Sequence, residues 1–322
     1  MPVNSGIMKP LPKNKDIVSP FALDDSATYQ RWRDKKLENY PESTDALTVE
    51  IRQADKPSAS EVTELTRICC RYNMAIYVTA GSSSENRSIP RNIGSALGLT
   101  HLAPNMLADE DGITSLAVVE RKSARGYIPY SNRRLLWHTD GYYNLPQDQI
   151  RAMLLHCVRP AASGGENSMM DAEIAYILLR DANPAYVEAL MQPDAMTIPP
   201  NIESGEETRS IRIGPVFSIE AATGDLHMRY TARTRSIEWK DGEITSAAVA
   251  FLDNLLNTDS DYLLRACLDA GQGLVCNNVL HNRTAFEDGE TISEQRLVYR
   301  ARYYDRIADT QWQCVMQQEN RL

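Results

Sequence analysis

No stretch of this 322-residue chain approaches the 18 or more apolar residues of a membrane-spanning helix. Its first residues, MPVNSGIMKPLPKNK, lack the apolar run of a secretory signal, so a cytoplasmic protein with no membrane partner is expected. Positive charge is also short: 34 Lys and Arg face 43 Asp and Glu, a net charge of −9. A chain so acidic has no field to gather phosphate backbones, which argues against nucleic acid as a partner. Six cysteines, at 69, 70, 157, 267, 276 and 314, include no CxxC pair and no Cys/His ladder of zinc-finger spacing. Most of them read as small buried hydrophobes, and a strained Cys69–Cys70 bridge is disfavoured in a reducing compartment. GxxxxGK, GxGxxG, HExxH and GxSxG are all missing, which removes local support for nucleotide cradles, zinc proteases and esterase elbows.

What is present is a globular composition, 43% hydrophobic and 24% charged, in a chain long enough to bury a core. Residues 1–57 are polar and punctuated by prolines, and read as an N-terminal arm with one amphipathic stretch, TYQRWRDKKLENY, able to form a helix. Residues 58–322 read as a single domain. Ser58 and Glu61 form a capping box ahead of Val62, Leu65, Ile68 and Cys69, predicting a helix to about Arg71. A buried strand over 74–78, a loop over 81–86 and a helix over 90–99 follow. Beyond residue 110 short strands dominate, with helices near 171–180, 184–190 and 245–256. Turns at 221–225 and 271–273 read as hairpins. The expected class is mainly β with flanking helices, a jelly-roll or double-sheet barrel rather than a parallel sheet.

The chemistry concentrates around one of only five histidines. His138 and Asp140, in Trp137-His138-Thr139-Asp140-Gly141, sit two apart, and on a strand such residues face the same side and can meet one ion. Taken alone the pair is a weak signal. A neutral imidazole and a carboxylate, completed by a second histidine, form the facial set that leaves open positions on non-heme Fe(II). His281, in Asn277-Asn278-Val279-Leu280-His281-Asn282-Arg283-Thr284-Ala285-Phe286, closes a predicted strand and is the best second histidine. His101, His156 and His227 lack a carboxylate at ligand spacing and read as structural. Downstream, alternation in Arg296-Leu297-Val298-Tyr299-Arg300-Ala301-Arg302 puts Arg296, Arg300 and Arg302 on one face. Periodicity leaves two readings open, a solvent-exposed face or a buried face that requires anions.

The order HTD, Gly164-Gly165-Glu166-Asn167, LHNRTAF and QRLVYRARYYD, over residues 60–305, resembles the taurine dioxygenase-like (TauD/TfdA) family of Fe(II)- and 2-oxoglutarate-dependent dioxygenases. The resemblance implies a double-stranded β-helix, a jelly-roll with a cupin-like core. It implies that His138, Asp140 and His281 match the iron ligands, that Arg296 matches the grip on the distal carboxylate of 2-oxoglutarate, and that Arg300 matches an acidic-substrate position. The sequence departs from the family at Asn167, followed by Ser168, where a threonine hydroxyl helps hold 2-oxoglutarate; an amide can donate the same bond. Retention of Asp140 argues against the halogenating relatives.

The implied reaction consumes O2 and 2-oxoglutarate, releases succinate and CO2, and hydroxylates or oxidatively cleaves a small substrate, which Arg300 suggests is anionic. Tyr142, Tyr143 and Asn144 follow the ligand loop and are candidates for lining the substrate pocket, as are Tyr230 and Arg233. The competing reading is a non-catalytic module that binds metal and 2-oxoglutarate on the same barrel. A zinc or manganese hydrolase is a third, without an evident general base. The arm could cover the pocket or pack across a boundary between subunits of a homo-oligomer.

Overall fold

The structure, a computed structural model, describes residues 19–80, 85–104, 112–118, 128–203, 206–233 and 237–317. The start of the expected arm, residues 1–18, and most of the expected loop over 81–86 lie outside the described residues. The main strands are β1 (Thr48–Ile51), β2 (Met74–Thr79), β3 (Thr114–Leu116), β4 (Leu135–His138), β5 (Ala152–Arg159), β6 (Asn167–Met170), β7 (Leu264–Ala266), β8 (Gln272–Cys276), β9 (Leu280–Arg283) and β10 (Leu297–Tyr303). Six of them form one sheet in the order β1-β2-β8-β5-β10-β3, and four form a second in the order β7-β6-β9-β4. Pairing is antiparallel except at the β1–β2 edge.

From β7 onward each successive strand crosses to the other sheet. This corrects the expected hairpin at 271–273: Gly271, at φ +85°, turns a corner between sheets rather than joining strand partners. The other expected hairpin is present, with Phe217–Ile219 antiparallel to Leu226–Met228. The near-continuous burial of β5 and β10 reflects cover on both faces. All seven β10 residues are buried, which decides the arginine face in favour of the interior.

The helices are α1 (Ser26–Leu37), α2 (Ala59–Tyr72), α3 (Ser88–Ala96), α4 (Ala172–Ala182), α5 (Pro184–Leu190), α6 (Glu243–Asn257) and α7 (Gln313–Gln317). The capping box of α2 is formed: the Ser58 amide donates to Glu61 at 2.7 Å, and the Glu61 amide donates to the Ser58 hydroxyl at 3.3 Å. Such a cap stabilises a helix by about 1 kcal/mol. Leu65, Ile68 and Cys69 then bury against the six-stranded sheet.

Residues 19–57 of the segment read as an arm pack into the body. Phe21, Tyr29 and Trp32 enter the apolar cluster shared by α4, α6 and the four-stranded sheet, while Leu47, Val49 and Ile51 enter the cluster beneath the six-stranded sheet. Its apolar residues are few but large and regularly placed, so polar composition concealed them.

The cysteines also depart from expectation. Cys70 on α2 and Cys314 on α7 form a disulfide with Cα atoms 5.9 Å apart, while Cys69, Cys157 and Cys276 stay free and buried. A separation of 244 residues leaves no trace in local spacing. Among the described residues no helix is long and apolar enough to cross a membrane.

Candidate metal and cosubstrate site

The four-stranded sheet brings the two histidines together, because β9 pairs with β4 in a register that sets His281 opposite His138. Their ring centroids lie 4.2 Å apart. Asp140 follows just after the end of β4, and one ligand atom from each of His138, Asp140 and His281 falls within 4.8 Å of the others. All three side chains are buried.

The imidazoles are oriented for coordination. Nδ1 of His138 bonds the Leu136 carbonyl at 2.9 Å, and Nδ1 of His281 bonds the Val279 carbonyl at 2.9 Å. Donation from Nδ1 leaves each Nε2 lone pair free for an ion. Burial, reinforced by His138, lowers the pKa of His281 to about 4, so its ring is neutral near pH 7. Burial alone would raise the pKa of Asp140, but Arg300, the His138 ring 3.7 Å away and Arg302 together hold it well below the ordinary carboxylate range. Its Oδ2 is buried and makes no hydrogen bond. An ionised carboxylate with an orphaned oxygen, beside two outward nitrogen lone pairs, fits a divalent cation with mixed nitrogen and oxygen ligands.

Two backbone features hold Asp140 in place. Asn278, at φ +50° between β8 and β9, accepts from the Asp140 amide at 2.8 Å and donates to the Asp140 and Ile150 carbonyls at 3.0 and 2.7 Å. Gly141 turns the chain at φ +69°, where a Cβ would lie 2.5 Å from Ile150. Sequence reading missed Asn278. Its signal was an Asn-Asn pair just ahead of the histidine strand, a residue type that tolerates the left-handed region.

Arg296 sits at the mouth of β10. Its amide donates to Asp288 at 2.7 Å, and its guanidinium lies 5.1 Å from the centre of the Phe286 ring. Among the described residues that guanidinium has neither a hydrogen bond nor an ion pair, although the residue is only 7% exposed. Burial lowers its pKa. It lines a small cavity with Leu155, Gly165, Asn167 and Val298. Gly164 makes the approach feasible at φ +71°, because a Cβ there would lie 2.2 Å from the Ala285 carbonyl oxygen.

The remaining candidates fall in distinct places. Asn167 shares the Arg296 cavity, whereas Ser168, whose amide donates to Asn282, is not among its lining residues. Arg300 reaches Asp140 at 3.5 Å. Tyr142 stands edge-on to His138, with ring centroids 6.5 Å apart. Asn144 commits its amide to the Asp148 carbonyl at 2.8 Å, closing the loop. Tyr230 is buried in the second apolar cluster and brackets Thr139 through its backbone, while Arg233 is half-buried near Tyr142. His101 pairs with Asp305 at the surface, His156 stacks on Tyr77 inside, and His227 lies in the hairpin. Among the described residues these three histidines belong to no metal-competent group.

Comparison with known proteins agrees with this geometry. A uridine-5'-phosphate dioxygenase from Amycolatopsis sp is 30% identical over 158 residues, 48% of this chain. That alignment takes in 55% of the relative, so the chain spans little more than half its length. A uridine-5'-phosphate dioxygenase from Streptomyces sp is 29% identical over 224 residues, 65% of this chain and 76% of that protein. The crystal structure of the non-heme iron oxygenase OrfP with iron, succinate and (3S)-hydroxy-L-arginine has a TM-score of 0.53 at 15% identity, covering 78% of this chain and 81% of that one. An asparagine oxygenase with Fe(II), 3-hydroxyasparagine and succinate gives a TM-score of 0.52 at 13% identity, covering 85% and 89%. The fold is therefore that of non-heme iron oxygenases. The pairing of β4 with β9, the carboxylate beside it and the arginine just ahead of β10 all lie within residues 43–302, the span that matches the taurine catabolism dioxygenase TauD, TfdA family, and the chain belongs to that family.

Proposed function

We propose that this chain is an Fe(II)- and 2-oxoglutarate-dependent oxygenase acting on a small anionic substrate, with its two main sheets as the walls of a double-stranded β-helix. The observation that carries this reading is the convergence of His138, Asp140 and His281 within 4.8 Å in a buried site. Iron and 2-oxoglutarate, once bound, supply the oxidising chemistry that consumes O2 and releases succinate and CO2. The protein binds and orients. His138, Asp140 and His281 would hold the metal, with Asn278 fixing the backbone of the carboxylate ligand. Arg296 would take the distal carboxylate of 2-oxoglutarate in a forked, charge-assisted pair, and Asn167 would face the same cosubstrate. Arg300 keeps Asp140 ionised and offers a positive charge to the substrate.

The alternative of a binding module without catalysis requires no chemistry from these residues, and the intact ligand set favours the enzyme. With Fe(II), ascorbate and 2-oxoglutarate the wild-type protein is expected to form succinate slowly, and faster with its true substrate. Asp140→Ala is expected to reduce succinate formation by at least about a hundredfold, since a lost ligand removes the metal itself. Unchanged turnover in that variant would defeat the assignment.

A further inference from the structure

Arg302 is left without a role by the reading above. It lies two residues beyond Arg300 on β10, so the two share a face with their Cα atoms about 7 Å apart. It is 6% exposed, and among the described residues its guanidinium makes no ion pair and a single hydrogen bond, to the Tyr143 hydroxyl at 3.4 Å. Tyr143 follows the Asp140 loop and packs edge-on against Tyr142, which in turn meets His138. Arg302 therefore opens onto the metal side of the barrel. Arg300 carries a second unmet need, because its Nε is buried without a hydrogen-bond partner.

Charge makes the demand specific. Asp140 is the carboxylate that both arginines feel. A divalent ion at the site would claim that carboxylate, and 2-oxoglutarate would place its distal charge at Arg296. Two buried guanidiniums would then be left with about two uncompensated positive charges, which a protein interior does not tolerate. A substrate carboxylate brings only one negative charge. A phosphate monoester brings close to two near neutrality, with three acceptor oxygens suited to planar guanidinium donors. The Tyr143 hydroxyl can accept from Arg302 and still donate its proton to such a group.

We propose that Arg302 is a substrate-binding residue which, with Arg300 and Tyr143, receives the phosphate of a phosphate-monoester substrate. This rests on the oxygenase reading and narrows its anionic substrate to one class. The relatives named for uridine 5'-phosphate carry a group of this chemistry.

The test uses the full chain loaded anaerobically with Fe(II) and 2-oxoglutarate, titrated calorimetrically with uridine 5'-phosphate, its singly charged methyl phosphodiester, and uridine. Wild type is expected to bind the monoester at least about tenfold more tightly than the diester, with uridine weaker still. Arg302→Gln is expected to lose roughly tenfold to a hundredfold in monoester affinity, to leave uridine within about twofold, and to keep the visible band of the Fe(II)–2-oxoglutarate complex. Arg302→Lys, which keeps the charge but not the fork, falls between them. Equal wild-type affinity for monoester and diester overturns the proposal even if the variants fail to fold. So does an equal loss on all three ligands in Arg302→Gln. So does failure of wild type to bind any of uridine 5'-phosphate, glycerol 3-phosphate and phosphoethanolamine while the band forms normally. Absence of the band in wild type instead removes the oxygenase reading on which the proposal rests.

Discussion

Among the described residues, the buried charges around Lys36 and those around Asp140 are arranged in opposite ways. Around Lys36 charge is matched by charge, although Nζ of Lys36 and Oε2 of Glu173 meet at ion-pair distance without a well-aligned hydrogen bond. Its ammonium lies 2.8 Å from Asp171 and 2.6 Å from Glu173, and Asn73 donates to both oxygens of Asp171 at 3.0 and 3.1 Å. Arg306 adds a bond to Asn73 at 2.7 Å, and Asn277 bridges Asn73 and Thr310 at 2.9 and 3.0 Å. Around Asp140 the reverse holds. One carboxylate faces Arg300 and Arg302, an oxygen of its own is orphaned, Nε of Arg300 is orphaned, and the Arg296 guanidinium has no hydrogen-bond or ion-pair partner among the described residues. Both places are buried. What separates the two clusters is charge balance: Lys36 and Arg306 face Asp171 and Glu173, whereas one carboxylate faces two guanidiniums at Asp140, an imbalance that calls for a further anion.

The contrast can be broken by removing one charge from each side. Lys36→Met leaves Asp171 and Glu173 buried together without their cation. It is expected to destabilise the fold by about 3–5 kcal/mol, read from urea denaturation. A loss under about 1 kcal/mol would mean that the cluster is not structural.

A pH titration sharpens the comparison with a buried group that belongs to neither cluster. Burial lowers the pKa of His156 to about 4, so the folded chain refuses a proton that the unfolded chain accepts near 6.5. Stability from this group is complete above about pH 6.5. It declines as pH falls toward about 4, by on the order of 2–3 kcal/mol, and His156→Gln should flatten that slope. A slope unchanged in the variant would assign the acid sensitivity to other groups.

The smallest effect is expected at the functional cluster. Arg302→Met removes a guanidinium that lacks an ion-pair partner among the described residues, so the metal-free protein should stay within about 1 kcal/mol of wild type or gain stability. A loss comparable to that of Lys36→Met would place Arg302 among the structural charges.

Much of the functional side could be read in the sequence because its geometry is local. The spacing of His138 and Asp140 encodes a shared face, and alternation after Arg296 encodes an arginine stripe. The second histidine required more, since its meeting with His138 depends on a cross-strand register that local pattern does not carry. Whether the stripe faced water or the interior depended on cover from elements far away in the chain. The charge-balanced cluster was invisible for the same reason: Lys36, Asn73, Asp171 and Arg306 come from widely separated segments. Asn278 escaped because its role rests on one left-handed backbone angle and a bond across 138 residues. The turn at Gly271 was misassigned because glycine announces a turn without saying which sheet comes next.

The central claim is that His138, Asp140 and His281 hold one ferrous ion beside an arginine that receives a keto-diacid. An anaerobic titration of the wild-type protein and Arg296→Ala, first with Fe(II) and then with 2-oxoglutarate, addresses it directly. The account predicts about one Fe(II) bound per chain in both proteins. It predicts a visible band on adding 2-oxoglutarate, and an apparent 2-oxoglutarate affinity weakened roughly tenfold to a hundredfold in the variant. Failure of the wild type to bind Fe(II), or a band with the same 2-oxoglutarate dependence in both proteins, would contradict it.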